Sequence, residues 1–224
     1  MMLPLAFLID VDNTLIANDE VKKNLDEHLQ VEMGEDLTRR FWEIYEQVRE
    51  EQSVVNIPLT LKRLRVEISV EKLDELTYQH VRSIFDNYPF FQYLYPSALE
   101  TLRYLSTLGL TVIVSDGDQF FQAEKIVESS LAATVEGRVL LYVHKQQHLS
   151  EILQRYPAVH YAMIDDKTQI LADSKNLLAD RLTTVFVRQG KYSLEPLPEK
   201  FMPDLTVEHI GDLLNFTREQ FSLI

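Results

Sequence analysis

Five short, almost uninterrupted apolar runs punctuate the chain: LAFLI at 5–9, LTVIV at 110–114, RVLLYV at 138–143, HYAMI at 160–164 and TTVFV at 183–187. Runs this short, rich in β-branched residues and apolar at consecutive positions, read as strands covered on both faces. Helical patterns separate them, at roughly 97–108, 119–131, 146–155 and 168–179. In the first of these, Leu99, Leu102, Leu105 and Leu108 recur at helical spacing, and Gly109 is placed to stop the helix. Strand and helix in alternation predict an α/β fold, a doubly wound parallel sheet with right-handed crossovers.

One interval breaks the rhythm. About a hundred residues separate the first strand from the second, far more than one crossover helix requires. Most of this interval reads as helical. Val21, Leu25 and Leu29 line one face; Leu37, Phe41, Ile44, Tyr45 and Val48 line another; Leu61, Leu64 and Ile68 give a third, and Leu73, Leu76, Val81 and Ile84 a fourth. The expected organisation is a core domain of residues 1–16 and 93–224 with a helical insertion, 17–92, forming its own small lobe. The bland alternative is that these helices only extend the main core. The return segment FDNYPFFQYLYP at 85–96 is dense in aromatics and broken by prolines, which favours packing between the two lobes over substrate contact.

Composition excludes several classes of chemistry. The 224 residues include no cysteine, so disulfides, thiolate metal sites and cysteine nucleophiles are ruled out. A net charge of −13 argues against non-specific binding to nucleic acid or to an anionic membrane. The opening MMLPLAFLID has no basic leader, and its apolar run stops at Asp10, too early for a secretory signal or a membrane span. The expected location is the cytoplasm. Oligomeric state has no signature in the sequence.

In open α/β sheets, ligands bind outside the carboxyl ends of the strands, so the residue after each strand carries the chemical information. Those residues are Asp10 and Asp12; Ser115 with DGD at 116–118; His144 and Lys145; Asp165 and Asp166; and Arg188. Four carboxylates on one sheet edge present an electrostatic problem. Two charges about 4 Å apart repel by roughly 4 kcal/mol at an effective dielectric near 20. A carboxylate cluster without suitably spaced His or Cys suits a hard cation with oxygen ligands, Mg²⁺ above all. Lys145 adds positive charge and Ser115 a hydroxyl, equipment for holding a phosphoryl group. A carboxylate is a competent nucleophile towards phosphorus, and an acid two residues on can move the proton.

DVDNT at 10–14, VIVSDG at 112–117, Lys145 in YVHKQ and MIDDKTQ at 163–169, each after a strand and in this order, resemble the four motifs of the haloacid dehalogenase-like (HAD) hydrolase superfamily. The helical insertion falls where that superfamily places a helical cap. The resemblance implies a Rossmann-like core and a Mg²⁺-dependent phosphatase acting on a small phosphorylated molecule. It implies Asp10 as nucleophile and metal ligand, and Asp12 as general acid/base with its carbonyl on the metal. Thr14 would help position Asp12, and Ser115 and Lys145 would bind the phosphoryl group, with Asp116 and Gly117 beside them. Asp165 and Asp166 would complete the metal site, Asp166 favoured as the inner ligand. Asn13 stands where the family often has Gly, a benign departure because Asn tolerates left-handed backbone.

Competing readings share parts of this equipment. A phosphomutase or phosphotransferase uses the same core and differs in excluding water. A dehalogenase has less use for Asp12 and the acid pair. A phospho-receiver places its acid pair before the phosphorylated Asp, the reverse of the order here, and a catalytically silent binding protein is the remaining class. DVDNTLIANDEV fails as a calcium loop, with Leu15 at its sixth position and Val21 at its twelfth. No GxxxxGK[ST] occurs, so a nucleotide-cradling loop is not supported. Substrate choice should lie in the insertion. There, Arg39, Arg40, Lys62, Arg63 and Arg65 read mainly as surface charges, and Trp42 as packing.

Overall fold

The computed structural model describes residues 3–117 and 120–222. Within them six strands form one sheet: β1 (Leu3–Ile9), β2 (Leu110–Asp116), β3 (Val139–Tyr142), β4 (Ala158–Asp165), β5 (Leu182–Val187) and β6 (Leu205–Val207). Their order is β3-β2-β1-β4-β5-β6, and every pairing is parallel. The five expected strands are present with ends shifted by a few residues; β6 was not expected. Asp118 and residue 119, where a helix was read to begin, lie outside the described residues.

The direction of winding reverses between β1 and β4, the switch point where a crevice opens at the carboxyl edge. Register makes this concrete. Ile9 lies opposite Ile113 of β2 and Ile164 of β4. The next residues, Asp10 and Asp165, therefore emerge side by side, with Ser115 near the end of β2.

Alternation along β1 builds two apolar layers. Leu5, Phe7 and Ile9 face one layer, with Leu102, Leu105, Ile210, Leu213 and Phe221. Ala6 and Leu8 face the other, with Leu149, Ile152, Met163 and Leu171. The helices behind these layers are α4 (Ala98–Leu108), α5 (Phe121–Glu128), α6 (Leu131–Thr134), α7 (Leu149–Arg155), α8 (Thr168–Leu178) and α9 (Arg218–Phe221); the earlier helices belong to the insertion. The pattern read at 119–131 resolves into α5 and α6. The pattern at 146–155 opens as a 3-10 turn over Lys145–His148 before α7.

The insertion between β1 and β2 holds α1 (Asn18–Gln52), α2 (Ile57–Glu67) and α3 (Glu75–Asp86). The first two apolar faces read from the sequence belong to one long helix broken at Gly34, whose φ of 79° is open to glycine at low cost. Asn56 caps α2 by accepting from Leu59 N at 3.0 Å, and Asp74 caps α3 by accepting from Thr77 N at 2.7 Å. Leu76, assigned to the fourth face, is 67 % exposed; it sits on the solvent side of the first turn of α3, while Leu73 is buried just before the helix.

Aromatic side chains join the insertion to the sheet layer. Phe41 stacks on Phe85, and Phe85 and Phe90 each meet Phe121, with centroids 6.3 and 5.4 Å apart. Tyr88 and Phe90 of the aromatic return segment are buried in the same cluster as Phe7 and Ile9. No described helix is long and apolar enough to cross a membrane.

Candidate active site

The carboxyl edge gathers the residues that were scattered along the sequence. Asp10, Asp165 and Asp166 are buried, and one oxygen of each lies within 4.8 Å of the others. Lys145, 135 positions after Asp10, hydrogen-bonds Asp10 Oδ1 and donates to the Val114 carbonyl at 3.2 Å. Its Nζ also stands 2.7 Å from Asp165 Oδ2, close enough to pair but poorly aligned for a hydrogen bond. The lysine is held there from behind: Asp116 Oδ1 accepts from the Lys145 backbone N at 2.8 Å. Asp116 thus braces the lysine-bearing turn.

Lys145 and Lys167 bring two positive charges to three carboxylates, which leaves the cluster short of neutral. Burial pushes the Asp10 carboxyl up to about 7; Lys145 opposes this and Asp165 adds to it. Burial, reinforced by Asp10 and Asp165, pushes Asp166 up to about 9. Lys145 responds in the opposite sense: burial would lower it, but Asp10, Asp165 and Asp116 together hold it well above an ordinary lysine. Asp10 Oδ2 and both oxygens of Asp166 are buried without a hydrogen-bond partner. Orphaned carboxylate oxygens converging on one point are a donor set of the hard, all-oxygen kind that Mg²⁺ takes, so the residues present fit that ion.

Asp12 lines a cleft of about 270 Å³. Asp116, Gly117, Gln122, Lys125 and Lys167 line it from the core, and Lys22, Trp42, Tyr45 and Arg49 from α1. Its carboxylate oxygen Oδ1 accepts from Lys125 Nζ at 2.8 Å and from Gln122 Nε2 at 3.3 Å. Burial alone would raise the Asp12 carboxyl; the Lys125 charge and these hydrogen bonds outweigh it and hold the group below the usual range. Ser115, 1 % exposed, has its Oγ 3.0 Å from Gln122 Nε2. Thr14 makes no such tie: its hydroxyl is buried without a partner, and the contacts to Asp12 come from α5 instead. Asn13 adopts φ 59°, the left-handed backbone allowed for at that position, and its Oδ1 accepts from Asp19 N at 3.2 Å.

Sequence reasoning missed three cations and an amide: Gln122, Lys125, Lys167 and Lys191. Lys167 follows the acid pair directly and lies over the Tyr192 ring at 5.1 Å. Burial would lower it, but Asp10 and Asp165 raise it above an ordinary lysine. The arginines considered earlier do not reach the cleft. Arg39 pairs with Asp36, Arg40 with Glu43 and Glu67, Arg63 with Glu51 and Arg65 with Glu75. Trp42 packs edge-on against Phe41 and Tyr45, donates to Asp26 at 2.7 Å, and also lines the cleft.

No protein-family model matches the chain, and no curated protein does. Solved structures do match. A protein from Burkholderia xenovorans LB400 assigned to the haloacid dehalogenase-like hydrolases is 42 % identical, with a TM-score of 0.87 over 97 % of this chain and 98 % of that one. A HAD-hydrolase from Bacillus subtilis bound to magnesium is 14 % identical, with a TM-score of 0.62 over 96 % of this chain and all of that one. An L-2-haloacid dehalogenase from Xanthobacter autotrophicus is 13 % identical, with a TM-score of 0.57 over 96 % and 97 %. The two distant structures speak for the fold alone. The first speaks for the family over nearly the whole length of both chains: this protein belongs to the haloacid dehalogenase-like hydrolases.

Proposed function

We propose that the protein is a Mg²⁺-dependent phosphatase that hydrolyses a small phosphate monoester through a phosphorylated Asp10. The observation that carries this reading is the unpartnered Asp166 carboxylate, buried beside Asp10 and Asp165 where two lysines, Lys145 and Lys167, face three carboxylates. Asp10, Asp165 and Asp166 would hold the ion. When bound, Mg²⁺ supplies the charge neutralisation that lets a carboxylate approach a phosphate dianion. A carbon–halogen displacement leaves Asp166 and Asp12 without a task.

The remaining steps belong to the chain's own residues. Lys145 and Ser115 hold oxygens of the phosphoryl group. A carboxylate oxygen of Asp10 attacks phosphorus as the bond to the leaving oxygen breaks, and that oxygen takes its electron pair and a proton from Asp12. Lys125 holds Asp12 ionised in the free protein; the arriving phosphate dianion pushes it back towards the protonated form. In the second step water attacks phosphorus, gives its proton to Asp12 and releases Asp10 and inorganic phosphate.

An aryl phosphate provides the test. Phosphate release is expected with Mg²⁺ and is expected to stop in excess EDTA. Asp10→Asn should reduce turnover below detection while far-UV circular dichroism and the melting curve stay close to those of the parent. Silence across a broad panel of phosphate esters, with Mg²⁺ present, would overturn the proposal.

A further inference from the structure

We infer that Gln122 and Lys125, one helical turn apart on α5, are positioning residues that aim Asp12 at the leaving oxygen; this rests on the phosphatase reading above. Three features carry it. First, both side chains are almost fully buried, Gln122 at 3 % and Lys125 at 2 % exposure, although they lie on a short surface helix. Second, their donors converge on a single atom, Asp12 Oδ1. Asp12 Oδ2 has no hydrogen bond among the described residues, and the side chain lines the cleft. One oxygen is clamped and the other is left for chemistry. Third, the clamp is itself anchored. Gln122 Nε2 also meets Ser115 Oγ at 3.0 Å, tying the proton-moving carboxylate to the hydroxyl expected beside the phosphoryl group. Lys125 Nζ donates to Asn18 Oδ1 at 3.0 Å, at the root of the insertion, and lies 5.7 Å from the centroids of Phe90 and Phe121.

Gly117 makes the arrangement possible. A Cβ there would stand 2.8 Å from Cβ and Cγ of Gln122, so a side chain at 117 would drive the amide off Ser115 and Asp12. Glycine at the end of β2 is required here by the close approach of α5.

The experiment separates leaving groups. The ratio kcat/KM covers the steps up to departure of the leaving oxygen and omits hydrolysis of the phosphorylated Asp10. p-Nitrophenolate departs as an anion and asks little of a proton donor; the alkoxide of glycerol 2-phosphate must be protonated. Lys125→Met is expected to lower kcat/KM for glycerol 2-phosphate by about 10-fold to 100-fold and for p-nitrophenyl phosphate by less than about 3-fold. Lys125→Arg, which keeps a donor, should recover part of the loss. Gln122→Met should show the same selectivity more weakly, and it serves if Lys125→Met does not fold. Equal losses on the two esters would overturn the inference, because a general structural defect does not distinguish leaving groups. A crystal structure of Lys125→Met gives a readout free of turnover: Asp12 is expected to rotate away from Ser115, and an unmoved Asp12 would also overturn it. If the parent protein cleaves no phosphate ester, the phosphatase reading fails separately, and the crystallographic comparison still decides whether Lys125 holds Asp12.

Discussion

Asp166 is the side chain most out of balance with its surroundings. It is fully buried, neither oxygen has a partner, and two neighbouring aspartates oppose its ionisation. For a carboxyl whose folded value is raised, to about 9 for Asp166 and about 7 for Asp10, the folded state binds more protons than the unfolded state, whose carboxyls titrate near 4. Their contribution to stability is full below about pH 4 and is lost as pH rises through about 7 and then about 9. In EDTA, the melting temperature should therefore fall between pH 6 and pH 9, and Mg²⁺ should flatten the decline. Asp166→Asn should remove part of the penalty, raising the metal-free protein at pH 8 by about 1 kcal/mol, roughly 2–4 °C for a chain of this size, while isothermal titration shows weakened Mg²⁺ binding. A destabilised Asp166→Asn would mean that the carboxylate has a partner in solution that the folded chain does not show.

The strand ends were legible because a covered parallel strand is a continuous apolar run, and the first polar residue after it marks the reactive edge. Asp10, Ser115 and Asp165 are such first residues, and Lys145 and Asp166 come one position later. Gln122 and Lys125 do not, since α5 reads as an ordinary amphipathic helix. The signal was available in the polar residues 122, 125 and 129, which share one face and are all buried. The strand β6 escaped for a different reason: three residues are too few to show a period, and Asp204 beside them does the fastening. Asp204 Oδ2 accepts from Thr184 N and Thr184 Oγ1, each at 2.8 Å, and pairs with Lys175 Nζ at 2.9 Å, joining β6 to β5 and α8. These contacts lie at the amino end of β6, away from the reactive edge. Asp204→Ala should cost about 2 kcal/mol of stability in urea titrations, and kcat/KM should stay within about 2-fold of the parent. A large loss of activity at unchanged stability would contradict this division between fastening and chemistry.

Whether the insertion and the sheet melt together is decided by the packing between them. The ring contacts Phe41–Phe85–Phe121–Phe90 run from α1 to α5 without a break, and the apolar cluster they belong to includes Phe7 and Ile9 of β1. Separating the two would expose these rings, and fully burying one such side chain is worth roughly 1.5–3 kcal/mol. It would also cut the tie from Lys125 to Asn18. Trp42 is the only tryptophan in the chain, and it lies on α1, so its fluorescence reports the insertion specifically. The carboxylates proposed to hold Mg²⁺ lie at the carboxyl ends of β1 and β4, and none belongs to the insertion. At about 100 times its dissociation constant a ligand stabilises the folded state by about 2.7 kcal/mol, roughly 5–10 °C here. If packing couples the two parts, Mg²⁺ should move the Trp42 fluorescence midpoint by the same amount as the midpoint from circular dichroism, and the two should coincide with and without the ion. A Trp42 transition that stays fixed while the other moves would show that the aromatic junction opens before the sheet does, and that the Lys125 tie to Asn18 is cut in the same step while Gln122 and Lys125 still hold Asp12.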